Sequence, residues 1–385
     1  MFPTHHLRST TATVSCLLAA LALSACGGTS GGGSGSAGGS GKPIAVTLSD
    51  SGCSPSHLSA TAGPVSVEVL PASTGKAGTL QLSDSSGLLL GEAAHVVRPA
   101  KGRFSLDLAA GEYALSCQDG GQEEGTLTVS GTAAASKLTA RARSLLTEAT
   151  SAYESYVASE AATLESGTRL LIAALAAGET ARSKELLVAV RSHYLSIEPA
   201  AGTFAKLAAE IDQSGDTGLI GFHRIEQVLW TKNRTVGTAN VSSVLMQDVE
   251  ALTRRASTLQ LQPAQLANNA AALVREMAAG KLEGQEDRYS HADLADLEAN
   301  LSGARKAVTL LVPALRQLGK AGLARQIEAG FASFAGELAT YKHNTPLGFV
   351  ASNQLMASAR RRLAARIEAL YEPLARVAAI VSGAP

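Results

Sequence analysis

The chain has 385 residues, with 33 Lys plus Arg against 33 Asp plus Glu, so its formal net charge is zero. That balance, without a basic stretch interleaved with aromatics, argues against a nucleic-acid partner. Hydrophobic residues make up 45% of the sequence, enough for proper cores. No segment past the N-terminus offers about eighteen consecutive uncharged apolar residues, which argues against a permease.

His5, His6 and Arg8 precede an apolar run from Val14 to Leu23 and the tetrapeptide Leu23-Ser24-Ala25-Cys26. The run is too short to span a bilayer and reads as a signal peptide over residues 1–25. Leu-Ser-Ala-Cys resembles the lipobox of bacterial lipoproteins, which would make Cys26 the acylated N-terminus of the mature chain. The alternative is an ordinary signal with an incidental cysteine. Residues 26–41 are then a tether: from Gly27 to Gly41 nearly every residue is Gly or Ser, a composition that buries too little apolar surface to fold. As a flexible coil it would reach roughly 20 Å. The expected location is outside the cytoplasmic membrane, periplasmic or cell-surface, held by a lipid anchor. Only Cys53 and Cys117 remain in the folded body. In an oxidising compartment they most simply form a disulfide, with a pair of metal thiolates as the rival.

Between residues 42 and 131 come short β-prone runs: Ile44 to Leu48, Val65 to Val69, Thr79 to Leu82 and Thr126 to Val129, punctuated by Gly and Pro. The pattern predicts a small antiparallel sandwich. Leu108 to Cys117 reads as a turn followed by a late strand, and the whole resembles the cupredoxin-like sandwich. A blue-copper site needs a histidine close after its cysteine. From Gln118 to Glu124 there is neither His nor Met, so blue-copper electron transfer is rejected. His57 and His95 read more simply as surface residues than as ligands. Glu123 and Glu124 read as a solvated turn. Glu92 and Glu112 are the acidic residues that could stand in for the metal-binding carboxylates usual in such modules, without clear alignment.

Residues 133–385 are rich in Ala, Leu, Glu and Arg. Leu145, Tyr153, Tyr156, Leu164, Leu170, Leu171 and Leu175 follow approximate helical spacing, as do Leu310, Leu311, Leu315, Leu318 and Leu323. Six or more amphipathic helices in one or two antiparallel bundles are expected. Ser290 followed by Asp293 reads as a helix N-cap box before Leu294.

Within this part, Gly221-Phe222-His223-Arg224-Ile225-Glu226 sets a histidine and a carboxylate on one helical face. Phe222, Ile225, Leu229 and Trp230 supply the apolar stripe that would bury it. Glu198 and Asp212 lie upstream in similar apolar settings. Together these give three carboxylates and one imidazole, a set that suits iron, manganese or zinc better than Cu(I). Each carboxylate alone also has a structural reading. Glu198 could pair with Arg191, Asp212 could end a helix before Gln213, and Glu226 could pair with Arg224.

Tyr194-x-x-Ile197-Glu198-Pro199, Ile211-Asp212, the His223 segment through Leu229-Trp230, and Gly284-Gln285-Glu286-Asp287-Arg288-Tyr289-Ser290-His291-x-Asp293-Leu294 follow in order. These spaced motifs resemble the imelysin family, and within it the EfeO-type lipoproteins of bacterial iron uptake, over roughly residues 135–383. The resemblance implies a non-enzymatic iron-binding component, with zinc or copper as other metals. It implies a membrane iron permease and a haem-containing peroxidase-like protein as partners. Family ligands would map onto His223, Glu226, Glu198 and Asp212, with Glu286 and Asp287 as supporting or alternative ligands. A metallopeptidase is the competing reading, but its chemistry needs a histidine where Gln227 stands. A metal-free scaffold lipoprotein is the third.

Overall fold

The computed structural model describes residues 37–38, 42–49, 52–72, 78–98, 100–117, 123–132, 138–213, 218–345 and 347–383. The expected signal peptide and Cys26 lie outside the described residues. So does most of the expected tether, although Ala37–Gly38 within it form a strand, β1, rather than free coil.

The strands that follow are β2 (Ile44–Ser49), β3 (Gly52–Ser54), β4 (His57–Thr61), β5 (Gly63–Pro71), β6 (Gly78–Ser83), β7 (Leu89–Val96), β8 (Gly102–Leu108), β9 (Gly111–Cys117) and β10 (Glu123–Ser130). Alternation in β2 and β5 turns Ile44, Val46 and Leu48, and Val65, Val67 and Val69, into one core, as the two-residue period of a strand requires. Leu80, Leu82, Leu115 and Leu127 close it from the opposite sheet. The sheets run β1-β4-β10-β9-β6-β7 and β3-β2-β5-β8, a cupredoxin-like sandwich. The expectation of a purely antiparallel sandwich is corrected: β1 and β10 both pair with β4 in parallel, and β2 pairs with β5 in parallel. The chain leaves the smaller sheet after β3, crosses as β4 and returns as β5, which brings β2 and β5 side by side in one direction. Cys53 on β3 and Cys117 on β9 are joined as a disulfide between the sheets, Cα atoms 5.8 Å apart. Cys117 therefore has no thiolate to offer a metal.

Ten α-helices follow among the described residues: α1 (Ala140–Ala176), α2 (Thr180–Ser196), α3 (Ala205–Asp212), α4 (Gly221–Thr231), α5 (Ala239–Ala256), α6 (Pro263–Ala279), α7 (Asp293–Gln317), α8 (Ala321–Ala339), α9 (Ala357–Leu374) and α10 (Val377–Val381). Their apolar faces share one core that includes Tyr153, Leu164, Leu195, Phe222, Leu229, Leu297 and Phe334. α1 starts where the Thr139 hydroxyl accepts the Ala142 N–H. α2 stops at Ser196 because Pro199 has no N–H to give the Leu195 carbonyl, which accepts from Asn300 instead, and a 3₁₀ helix, Glu198–Phe204, follows. α6 opens on Pro263 behind a Gln262/Gln265 capping box. The expected N-cap box at α7 does not form. Ala292 is the N-cap, because the Ser290 hydroxyl accepts the Ala292 N–H and the Asp293 carboxylate accepts the Asp287 N–H, both within the preceding loop. No helix among the described residues is long and apolar enough to cross a membrane.

The sandwich and the helices meet through α6, β7 and β8. Asn268 clasps Ser105 on the end strand β8, its amide accepting the Ser105 N–H (3.2 Å) and donating to the Ser105 carbonyl (2.6 Å). Gln265 donates to the Leu89 carbonyl at 2.9 Å.

Candidate metal centre

Gly221 makes the position of α4 possible. Its φ is +53°, and a Cβ there would overlap the Ile211 carbonyl at the end of α3, so only glycine lets the two helix ends meet this closely. The first turns of α4 then carry His223 and Glu226 inward, both about 1% exposed. Facing them is the loop between Gly284 and α7, which contributes Glu286 and Asp287.

His223, Glu226 and Asp287 converge: one ligand atom from each lies within 4.8 Å of the other two. His223 Nδ1 is 3.5 Å from Glu226 Oε2 and 3.9 Å from Asp287 Oδ1. Ligands at about 2.1 Å from a common ion stand roughly 3 Å apart, so a small contraction would complete a site. The other oxygen of Glu226 accepts the backbone N–H groups of Tyr289 (3.1 Å) and Ser290 (2.7 Å). Gln227 donates to the Tyr289 hydroxyl at 2.8 Å, tying the loop to α4 a second time.

Around this trio lies a buried array of charge. Arg191 on α2 is bonded to Asp212 (2.6 and 2.9 Å), Asp287 (3.1 Å), Asp296 and Glu286 (3.4 Å). Lys281 bridges Glu198 and Glu286, each at 3.1 Å. Asn300 donates to Glu198 and to the Leu195 carbonyl. Glu276 on α6 lines a cavity of about 270 Å³ between sandwich and helices, together with Glu92 and Glu198.

Carboxylates in this array outnumber its fixed cations, Arg191 and Lys281, and their protonation reflects it. Burial, then the neighbouring Asp296, pushes Asp287 well up despite Arg191. Burial lifts Asp296 to about 6 against the pull of Arg191, and raises Glu198 against that of Lys281. Glu276 is pushed up to about 8, by burial and then by the charge of Glu198. Two groups go the other way. Burial would raise Glu226, but bonds from His223 and the Ser290 N–H hold it low. Lys281 and Arg191 do the same for Glu286. Such an array has room for added positive charge, and its oxygen-rich donors with a single imidazole match a hard or borderline cation.

The structure brings His223, Glu226 and Asp287 together, with Asp212 Oδ1 at 3.5 Å from His223 Nε2 and Glu286 reached through Arg191. Glu198 stands apart, held by Lys281 and Asn300 rather than by Arg191. Glu226 turns to the Tyr289 and Ser290 amides rather than to Arg224, which pairs with Gln227. In the sandwich, His57 Nδ1 lies 2.9 Å from the Thr126 hydroxyl, Glu92 accepts from Gln81, and Glu112 is exposed. The side chains of His95, Glu123 and Glu124 lie outside the described residues. Sequence reasoning passed over Lys281, Asp296, Glu276 and Asn300, and saw Arg191 only as a partner for Glu198. The available signal was the mixture of Lys, Glu and Asp within residues 276–296, a segment otherwise built for burial.

The imelysin family profile, whose label is a peptidase family, matches residues 149–377. The iron uptake system component EfeO of Escherichia coli (strain K12) is 33% identical over 347 residues, covering 88% of this chain and 91% of that protein. EfeO proteins of Shigella flexneri and Shigella sonnei match with the same identity and coverage. With a sandwich ahead of the helices and a match along nearly its whole length, the chain belongs to the imelysin family and is of EfeO type.

Proposed function

We propose that this protein is an extracytoplasmic, metal-binding component of a bacterial iron-uptake system, anchored by a lipid on Cys26. In this reading residues 1–25 are the removed signal and 26–41 the tether. Residues 42–131 form the sandwich module and 133–385 the helical module. Iron binds at His223, Glu226 and Asp287, with Asp212 and Glu286 beside them and Glu198 beyond Lys281. The cargo then passes to a membrane permease, with a haem-containing peroxidase-like protein as a further partner. The observation that carries the reading is the convergence of one imidazole and two carboxylates inside a buried array with more carboxylates than fixed cations. The EfeO relatives, components of an iron uptake system, supply the identity of the cargo.

Hydrolysis is disfavoured despite the family's label. Gln227 stands where a metallopeptidase places its second histidine. Glu226 already accepts two backbone N–H groups and faces His223, so it is poorly placed to serve as a base toward water.

Calorimetric titration with Fe²⁺ under anaerobic conditions and with Fe³⁺ citrate tests the proposal. Saturable binding near one ion per chain is expected, weakened at least about a hundredfold in a His223→Ala, Glu226→Ala double variant. Stoichiometric binding retained in a folded double variant would sink the site assignment.

A further inference from the structure

Outside the residues assigned to the metal centre lies a pocket of about 340 Å³. Lys184 on α2 and Trp230 at the end of α4 form two of its walls, and the segment between α8 and α9 adds His343, Leu347, Val350 and Gln354. Seven residues separate Trp230 from His223 on α4 and Lys184 from Arg191 on α2, about two turns, which return to the same helix face. The pocket therefore stands roughly 10 Å from the centre along both helices. Its third wall is an ordered turn, closed by the Val350 N–H on the Tyr341 carbonyl and the His343 N–H on the Gly348 carbonyl, each at 3.0 Å. Ser352 ties that wall to the loop of Asp287, its N–H donating to the His291 carbonyl at 2.9 Å and its hydroxyl to Asp293 at 2.5 Å. No acidic residue lines this pocket. Lys184 is half-buried, and among the described residues its ammonium meets no carboxylate: it donates to Asn233 Oδ1 at 2.9 Å and lies 5.1 Å from the centre of the Trp230 ring. The side chains of His343 and Gln354 are exposed and make no hydrogen bond among the described residues, so they add N–H donors at the rim. The cavity at the junction with the sandwich has the opposite sign, with Glu92, Glu198 and Glu276 and no cation in its lining.

We propose that this pocket binds a small organic carboxylate with an apolar body. The carboxylate sits on the Lys184 ammonium, which has two N–H groups left beyond its bond to Asn233, and is met at the rim by His343 and Gln354. The apolar body lies against Trp230, Leu347 and Val350. A half-buried ammonium without a counter-charge favours an anion. A compact inorganic anion would leave the indole and aliphatic walls uncovered, and a neutral apolar ligand would leave the ammonium uncompensated, so the two halves of the lining together select the class. The assignment involves no metal and stands whether or not iron binds at His223. One consequence does rest on reading His223, Glu226 and Asp287 as the cargo site: anion and cation then lie roughly 10 Å apart and attract each other, so each tightens the binding of the other.

Trp230 is the single tryptophan of the chain, so its fluorescence reports on this pocket directly. The test titrates the metal-free full-length chain in detergent with benzoate, with benzamide as its neutral isostere and with inorganic phosphate as an anion lacking the apolar body. Benzoate is expected to change the Trp230 emission saturably, with benzamide and phosphate each binding at least about tenfold more weakly. Folded Lys184→Met should weaken benzoate binding at least about tenfold, and Lys184→Arg, which keeps the charge, should retain it. No saturable response to benzoate, an equal response to benzamide or to phosphate, or unchanged benzoate binding in Lys184→Met would overturn the assignment, and each would leave the iron reading untouched. Calorimetric titration with Zn²⁺, with and without saturating benzoate, then reads the coupling. Zn²⁺ should bind at least about threefold tighter with benzoate present. Unchanged Zn²⁺ affinity would overturn the coupling, whereas a lack of Zn²⁺ binding in both titrations would overturn the cargo site and leave the carboxylate pocket standing.

Discussion

Glu276 shows most clearly how burial sets the chemistry of single residues here. Its carboxyl, ordinarily near 4.5, is pushed up to about 8 by burial and by the charge of Glu198, so folding makes it hold a proton. Between those two values the unfolded chain binds fewer protons than the folded one. The contribution of this group is fully present below about 4.5 and is lost as pH rises towards 8. Metal-free wild type should therefore lose on the order of a few kcal/mol relative to Glu276→Gln between pH 5 and pH 8. Urea melts of both proteins at the two pH values check this, and parallel pH profiles would contradict it. Lys281 makes the converse case. It is 1% exposed between Glu198 and Glu286, and Lys281→Met, which leaves both carboxylates buried without it, should cost about 3–5 kcal/mol in a urea melt at pH 7. His223 and Glu226 were legible because their spacing lies within one helix turn. Arg191 was not, since its partners lie 21 to 105 residues away and no local pattern announces pairing at that distance.

Among the elements, α4 is the one whose placement decides the centre. Gly221 holds a left-handed backbone against the end of α3, and Gly221→Ala should cost more than about 1 kcal/mol from the conformation alone. The overlap with the Ile211 carbonyl would add to that and turn His223 away from Asp287. The expected result is a lower urea midpoint together with weaker iron binding. Unchanged values for both would show that α3 and α4 have freedom to separate. The helices were readable because a 3.6-residue apolar period survives along α1 and α7. The parallel pairing of β2 with β5 was not, because alternation names the buried face of a strand but not its neighbour. The cap box at Ser290 misled for a related reason. A Ser-x-x-Asp pattern has the chemistry of a cap, and here Ser290 and Asp293 bind within the loop that carries Asp287.

At the scale of the whole molecule, the sandwich and the helical array are joined by polar contacts as well as by apolar packing. Asn268 satisfies both backbone groups of Ser105, a residue 1% exposed on the end strand of its sheet. Asn268→Leu would strand those groups and should cost about 1–3 kcal/mol for each. Faster hydrogen exchange at the Ser105 amide would report the loosened junction, and unchanged protection would show that Asn268 is dispensable there. That the sequence holds two modules could be seen from the shift of period near residue 133. That their junction brings Glu92 of one near Glu198 and Glu276 of the other could not, because side chains that share a cavity leave no shared pattern along the chain. Iron is proposed to sit among His223, Glu226 and Asp287. Anomalous diffraction at the iron absorption edge, from crystals of the iron-loaded protein, tests it most directly. A peak bonded to His223 Nδ1 and to the Glu226 and Asp287 carboxylates is expected, whereas a peak elsewhere, or none at full loading in solution, would rule that placement out.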